Sequence, residues 1–229
     1  MKKLVITLLI ALTATLVPGR AADQSTKRED LISHVESCEA ILQEFMGRPE
    51  TAIPASVLAR ARAIVITNQF KAGFFIGVQN GYGVVLVKKA SGRWSVPVLI
   101  KAGAASLGLQ LGGTAVETIF VITDDQTPRL MFKNRFNVGV DAKAVAGPHG
   151  SEKENDNRPI IDAPVLVYMK NSGLYAGATV QTGYLARNDP ANRLLYNTNY
   201  VMPELLYSDW VPPIPEVQPL MNLVQRIAP

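Results

Sequence analysis

From Ala63 onward the chain stops reading as helix, and β-branched and aromatic runs follow one another, punctuated by glycines and short polar clusters such as SG at 91, DDQTP at 124 and NSG at 171. Connections that short join antiparallel neighbours, because a parallel crossover needs about a dozen residues or more. The runs at 64–66, 73–78, 83–88, 93–100, 105–112, 117–123, 142–146, 165–170 and 173–181 therefore predict strands of a largely antiparallel sheet. In particular, GYGVVLVKKASGRWSVP at 81–97 reads as a hairpin with KASG as its turn and Pro97 at a bulge or an edge.

Helix periodicity is clearest toward the start of the chain. Leu31, Ile32, Val35, Cys38, Ile41, Leu42, Phe45 and Met46 recur at steps of three and four, with Glu36, Glu39 and Glu44 on the other face, and Gly47 and Pro49 close the segment. A shorter helix is expected at 55–63 after Pro54, a loose one at 128–134, and a terminal one at 220–227. Helices at the ends of an antiparallel sheet make an α+β chain. With 229 residues, 48% of them hydrophobic, there is material for one core, so residues 23–229 read as a single domain.

Residues 1–22 are set apart as a secretory signal peptide. Met1-Lys2-Lys3 is a charged start, 4–17 is an apolar stretch too short for a comfortable bilayer span of about 20 residues, and Pro18-Gly19 precedes the small Ala21-Ala22. A leader of this kind implies a periplasmic or secreted protein. Its removal takes Lys2, Lys3 and Arg20 but no acid, lowering the formal charge from +4 to +1. That balance, with no basic recognition helix, argues against nucleic acid as a partner. The single Cys38 forms no intrachain disulfide and reads as a small buried hydrophobe.

Charge is unevenly distributed. Between Glu50 and Glu117 there is no Asp or Glu, while Arg60, Arg62, Lys71, Lys88, Lys89, Arg93 and Lys101 all fall there. Such a stretch would raise a positive potential on the surface it forms and attract anions; alternatively, it records only that strands are poor in acids. Phe70, Phe74 and Phe75 flank Lys71, and Trp94 adjoins Arg93. Aromatic and basic groups side by side suit the boundary between anionic headgroups and acyl chains, although the same residues on strands can be half core and half solvated surface.

Chemistry of other kinds finds little footing. His34 and Cys38 lie four apart on one helical face, but no third group nearby in sequence orients them. His149, Glu152, Glu154 and Asp156 sit in the polar segment GPHGSEKENDNRP at 147–159, which lacks the glycine and the terminal Glu of a calcium loop. Gly81 and Gly83 start no dinucleotide fingerprint, since Leu86 stands where the third glycine belongs and a strand follows. The glycines read instead as bends or close approaches in a curved sheet. No catalytic residue, metal set or cofactor is expected; a hydrolase resting on Asp124 or Asp141 is the weakest alternative.

The segments AIPASVLARARAIVI at 52, KAGFFIGVQNGYGVVLVKKASGRWSVPVLI at 71, GLQLGG at 108, VLVYMKNSGLYAGATVQTGYL at 165 and DPANRLLYN at 189 together resemble the SYLF domain family of lipid-binding proteins. The likeness runs from about Asp30 to the end of the chain. It implies an α+β fold of N-terminal helices on a largely antiparallel, barrel-like sheet, and non-catalytic binding of phosphoinositides or other anionic lipids. In eukaryotic relatives a lysine-rich amphipathic helix precedes the Ile-Pro segment; here the corresponding helix is acidic, which shifts the expected ligand toward anionic phospholipids of a bacterial envelope. The lipid- or anion-binding candidates are Arg60, Arg62, Lys71, Lys88, Lys89, Arg93 and Lys101, with Phe70, Phe74, Phe75 and Trp94 as membrane-contact aromatics. The alternative is an envelope scaffold or chaperone-like domain that binds protein partners, for which the Pro-rich WVPPIPEVQP at 210–219 is suited.

Overall fold

The computed structural model describes residues 19–73, 76–107, 114–133, 135–148, 162–169, 180 and 183–229. A long helix α1 (Gly19–Met46) and a single turn α2 (Ala55–Leu58) lead into strands β1 (Ala63–Gly73), β2 (Ile76–Val87), β3 (Val98–Leu107) and β4 (Thr114–Ile122). A turn α3 (Thr127–Leu130) precedes β5 (Phe136–Val138), β6 (Ala144–Ala146), β7 (Val165–Met169) and β8 (Gly183–Arg187). Helices α4 (Asp189–Tyr196), α5 (Met202–Tyr207) and α6 (Gln218–Ile227) close the chain. No helix among the described residues is long and apolar enough to cross a membrane.

Among the described residues, eight strands form one sheet in the order β5-β8-β3-β2-β1-β4-β7-β6, antiparallel except for β6 against β7. The connection between its edges dictates its shape. A flat sheet of this order would hold β5 and β6 about 34 Å apart at the usual spacing, yet six residue steps join Val138 to Ala144 and reach about 21 Å at most. The sheet must curl, and Val138 bridges Ala142 across the seam, giving a nearly closed barrel.

Alternation along the strands sorts residues between the barrel interior and the helix-covered face. On β1, Ile64, Ile66 and Asn68 share the face that meets α1: the Cys38 thiol donates to Ile66 O at 3.7 Å, and Asn68 Nδ2 donates to Ser37 Oγ at 3.3 Å. Ala63, Val65, Thr67 and Gln69 take the other face and are buried as well. Both faces are therefore covered at the end of the sheet where β1 and β7 start and β2 and β4 finish, so Ala63–Thr67, Gly83–Val87, Thr118–Ile122 and Val165–Tyr168 are continuously buried rather than alternating.

Glycines extend strands that the sequence reading had cut short. A Cβ at Gly83 would lie 2.3 Å from Ile66 O and 2.9 Å from Thr67 Cγ2, so β1 and β2 approach this closely only because that position has no side chain. The expected strands at 73–78 and 83–88 are consequently one strand, β2. Those at 93–100 and 105–112 correspond to one strand, β3, which starts later, at Val98. The expected strand at 173–181 lies largely outside the described residues.

Candidate functional site

The KASG turn forms as expected. Lys88 bridges Trp94, Lys89 N donates to Arg93 O at 2.9 Å, and Gly92 N donates back to Lys89 O at 2.9 Å. Gly92 has φ +79°, a left-handed conformation that costs an L side chain about 1–2 kcal/mol. The pairing Val85↔Val98 and the bridge Lys88↔Trp94 differ by one residue in register, so the W-S-V-P segment contains a bulge. The bulge turns Trp94–Pro97 inward. Trp94 is 4% exposed and its indole N–H donates to Ala228 O at 2.8 Å; Ser95 Oγ receives Val87 N–H at 3.0 Å; Pro97 O receives the Tyr196 hydroxyl. Trp94 thus ties the hairpin to the end of α6, and a membrane-contact role for it is corrected by its burial.

The basic candidates divide into two groups. Arg60, Arg62, Lys88, Lys89 and Arg93 gather at the end of the barrel where β1 starts and β2 ends. Each meets an oxygen brought from elsewhere in the chain. Arg60 pairs with Asp162 at 3.2 Å, Arg62 with Asp125 at 3.8 Å, and Lys88 Nζ donates to the Pro229 oxygen. Lys89 Nζ donates to Ser208 O at 2.6 Å and to Asp209 Oδ1 at 3.0 Å, while Arg93 Nη2 lies 3.5 Å from the same oxygen. The Lys89 hydrogen bond and charge hold the Asp209 carboxyl below its usual range. The acid-free stretch therefore does not become an acid-free surface, because folding returns distant acids to it.

Lys101 stands apart, exposed on β3. Lys71 belongs to β1 near its far end, where it pairs in register with Gln79 and Thr114. Phe74 and Phe75 lie outside the described residues.

Of the candidate aromatics among the described residues, Phe70 is exposed, at 58%. It follows Asn68 on the same face of β1 but lies beyond the Ser37 contact with α1. The register aligns it with Ala115 on β4, Asn80 on β2, Gly103 on β3, Tyr184 on β8 and Asn137 on β5. Ala115 and Asn80 are exposed too. The Tyr184 ring lies across Gly103, where an added Cβ would come within 2.7 Å of it, and the Arg135 guanidinium sits 3.9 Å from the centre of that ring. Lys101 belongs to the preceding row of the same face, one residue pair away. One strand face therefore carries Phe70 on β1, Lys101 on β3 and, about 14 Å from Phe70 at the usual strand spacing, Tyr184 with Arg135 over its ring. Sequence reasoning missed Tyr184 and Arg135, because β5 and β8 are short and nothing in the sequence announces that β8 pairs with β3 and β5 with β8.

The residues weighed for catalysis have structural partners. His34 stacks on Tyr82 with ring centroids 3.6 Å apart, and burial pushes its pKa below the ordinary 6.5. Cys38 is fully buried and burial pushes its thiol up to about 12. Asp124 accepts from Gln126 N, Thr127 N and Thr127 Oγ1 at 2.6–2.7 Å, and Asp141 accepts from Asn137 N at 2.7 Å, which makes both turn-forming groups. His149, Glu152, Glu154 and Asp156 lie outside the described residues. Among the described residues no three His, Cys, Asp or Glu side chains are grouped to hold a metal ion.

Residues 103–227 match the Ysc84 family, described as "Las17-binding protein actin regulator". The chain is similar to "SH3 domain-containing YSC84-like protein 1" of Bos taurus, 27% identical over 186 residues that cover 79% of this chain and 54% of that protein. It is also similar to "LAS seventeen-binding protein 3" of Saccharomyces cerevisiae, 29% identical over 182 residues, covering 78% of this chain and 39% of that one. The "SH3 domain-containing protein PJ696.02" of Schizosaccharomyces pombe is 27% identical over 184 residues, covering 77% of this chain and 43% of its own. The chain spans about half the length, or less, of the curated relatives it matches.

Proposed function

The chain belongs to the Ysc84 family, whose members include those known for SYLF domains, and from that premise we propose that it is a non-catalytic module that docks on anionic phospholipid surfaces. The observation that carries this reading is the uncovered strand face around Phe70. An aromatic ring left 58% exposed on a strand face that also carries Lys101 on β3 and, three strands along, Tyr184 under the Arg135 guanidinium has the mixture that an interface between headgroups and acyl chains rewards. Each basic group near a charged bilayer contributes about 1 kcal/mol, and burial of the exposed part of Phe70 contributes roughly 2–3 kcal/mol. Together these give weak, reversible docking. The leader expected at 1–22 supports placing the protein in a bacterial envelope, periplasmic or secreted and peripheral to the membrane. Vesicle flotation tests the reading: binding to phosphatidylglycerol vesicles and not to phosphatidylcholine vesicles is expected. Equal or negligible flotation with both defeats it.

A second reading draws on the relatives. Proteins of the family are described as binding Las17, and this chain exposes Trp210 at 65% on its Pro-rich segment. A protein-interaction role in the envelope would show as specific recovery of a protein partner, without lipid, from envelope extract.

A further inference from the structure

A cleft of about 270 Å³ opens between the KASG turn and the segment that runs from Asp209 into α6. Its walls are largely apolar: Trp94 and Val96 come from the inward-turned bulge, Val211 from the Pro-rich segment, and Met221 from α6, which also adds Asn222 and Gln225. Its lip carries Lys89, Arg93 and Asp209. Both cations use one oxygen, Asp209 Oδ1, at 3.0 and 3.5 Å. One carboxylate against two cations leaves the lip positive by one charge. The Arg93 side chain is 73% exposed, and its planar group has five N–H donors. The lip therefore retains anion-binding capacity, with Asp209, itself 63% exposed, held by the largely buried Lys89 and the exposed Arg93. Lys89 is anchored independently by Ser208 O at 2.6 Å, so it stays positioned whether or not Asp209 is engaged.

We propose that this cleft binds a single-chain anionic amphiphile, whose carboxylate or phosphate displaces Asp209 from Lys89 and Arg93 while the adjoining chain lies against Trp94, Val96, Val211 and Met221. The volume, at roughly 30 Å³ for each water-sized group, takes about nine such groups, the size of a short acyl segment. An apolar wall with a net positive lip favours this ligand over a neutral or cationic one. The inference extends the anionic-lipid reading to a second site at the end of the barrel away from Phe70. It concerns single molecules in solution, not a bilayer surface.

Trp94 reports on the cleft directly. In a Trp210→Phe background it is the remaining indole, and a bromine on a bound chain quenches it on contact. The probes are 10-bromodecanoate and 10-bromodecyl phosphate, with 10-bromodecyltrimethylammonium as the cationic control. Saturable quenching by at least one anion and none by the cation is expected; quenching by the carboxylate alone, the phosphate alone or both assigns the headgroup source. Asp209→Asn removes the competing carboxylate and should tighten anion binding, and Arg93→Ala should weaken it, each by about two- to fivefold, the scale of a surface ion pair. No quenching by either anion, equal quenching by the cation, or an Asp209→Asn change that leaves affinity unaltered or lowers it overturns the proposal. Vesicle flotation depends on Phe70 and reads a different surface, so either result can fail while the other stands.

Discussion

Asn192→Ala should unfold the protein far more readily than its place in a short helix suggests. Asn192 is fully buried, and its amide lies against Leu99 on β3. Oδ1 accepts Leu99 N–H at 2.7 Å, while Nδ2 donates to Leu99 O at 2.9 Å and to Asn188 O at 3.0 Å. Pairing of β8 with β3 begins at Ile100, so the side chain supplies Leu99 with the two hydrogen bonds that a neighbouring strand would otherwise give. Alanine leaves a buried N–H and a buried C=O without partners, each costing about 1–3 kcal/mol, and opens a small void besides. A loss of about 3–5 kcal/mol is expected, read as a shift of the urea midpoint at unchanged m. Asn192→Asp keeps the acceptor for Leu99 N–H but turns an oxygen toward Leu99 O, so it too should destabilise at pH 7, and less at pH 5 as the carboxyl gains a proton. A loss below about 1 kcal/mol for the alanine variant would show that Asn192 does not stand in for a strand.

Two further predictions concern α1. Cys38, with its thiol pushed up to about 12 by burial, should resist maleimide in the folded protein at pH 8 and react fully in denaturant; rapid native labelling would contradict its placement. His34 binds its proton less readily folded than unfolded, because burial against Tyr82 outweighs the attraction of Asp30. The unfolded chain therefore takes up the extra proton as pH falls through 6.5, and stability should decline from there until the folded pKa is passed. His34→Gln should flatten that slope in urea titrations between pH 7 and 5, and an unchanged slope would assign it to other groups.

Periodicity made residues 29–46 of α1 legible, since their apolar positions repeat over several turns and pack on one broad sheet, but the helix starts earlier, at Gly19, where no apolar repeat announces it. The central strands were legible as β structure but not in length, because glycines within β2 read as breaks where they permit close approach. The short elements were hidden. Each of β5, β8, α4 and α5 draws its stability from long-range packing, and α4 depends on a buried polar residue, Asn192, that reads as loop. The candidate site divides in the same way. Basic residues beside aromatic ones were visible along the sequence, but the sequence could not reveal that Asp209, 120 residues away, returns to Lys89. Nor could it reveal that a one-residue bulge buries Trp94, while β8 brings Tyr184, with Arg135 over its ring, onto the strand face that exposes Phe70.

Vesicle flotation of the chain and its Phe70→Ala and Lys101→Ala variants tests the docking surface most directly. The chain should float with phosphatidylglycerol vesicles and not with phosphatidylcholine vesicles. Loss of the exposed ring should weaken binding by about 10- to 100-fold, and loss of the lysine by about fivefold at low salt. Flotation that ignores vesicle charge, or that survives Phe70→Ala undiminished, would contradict docking through this strand face.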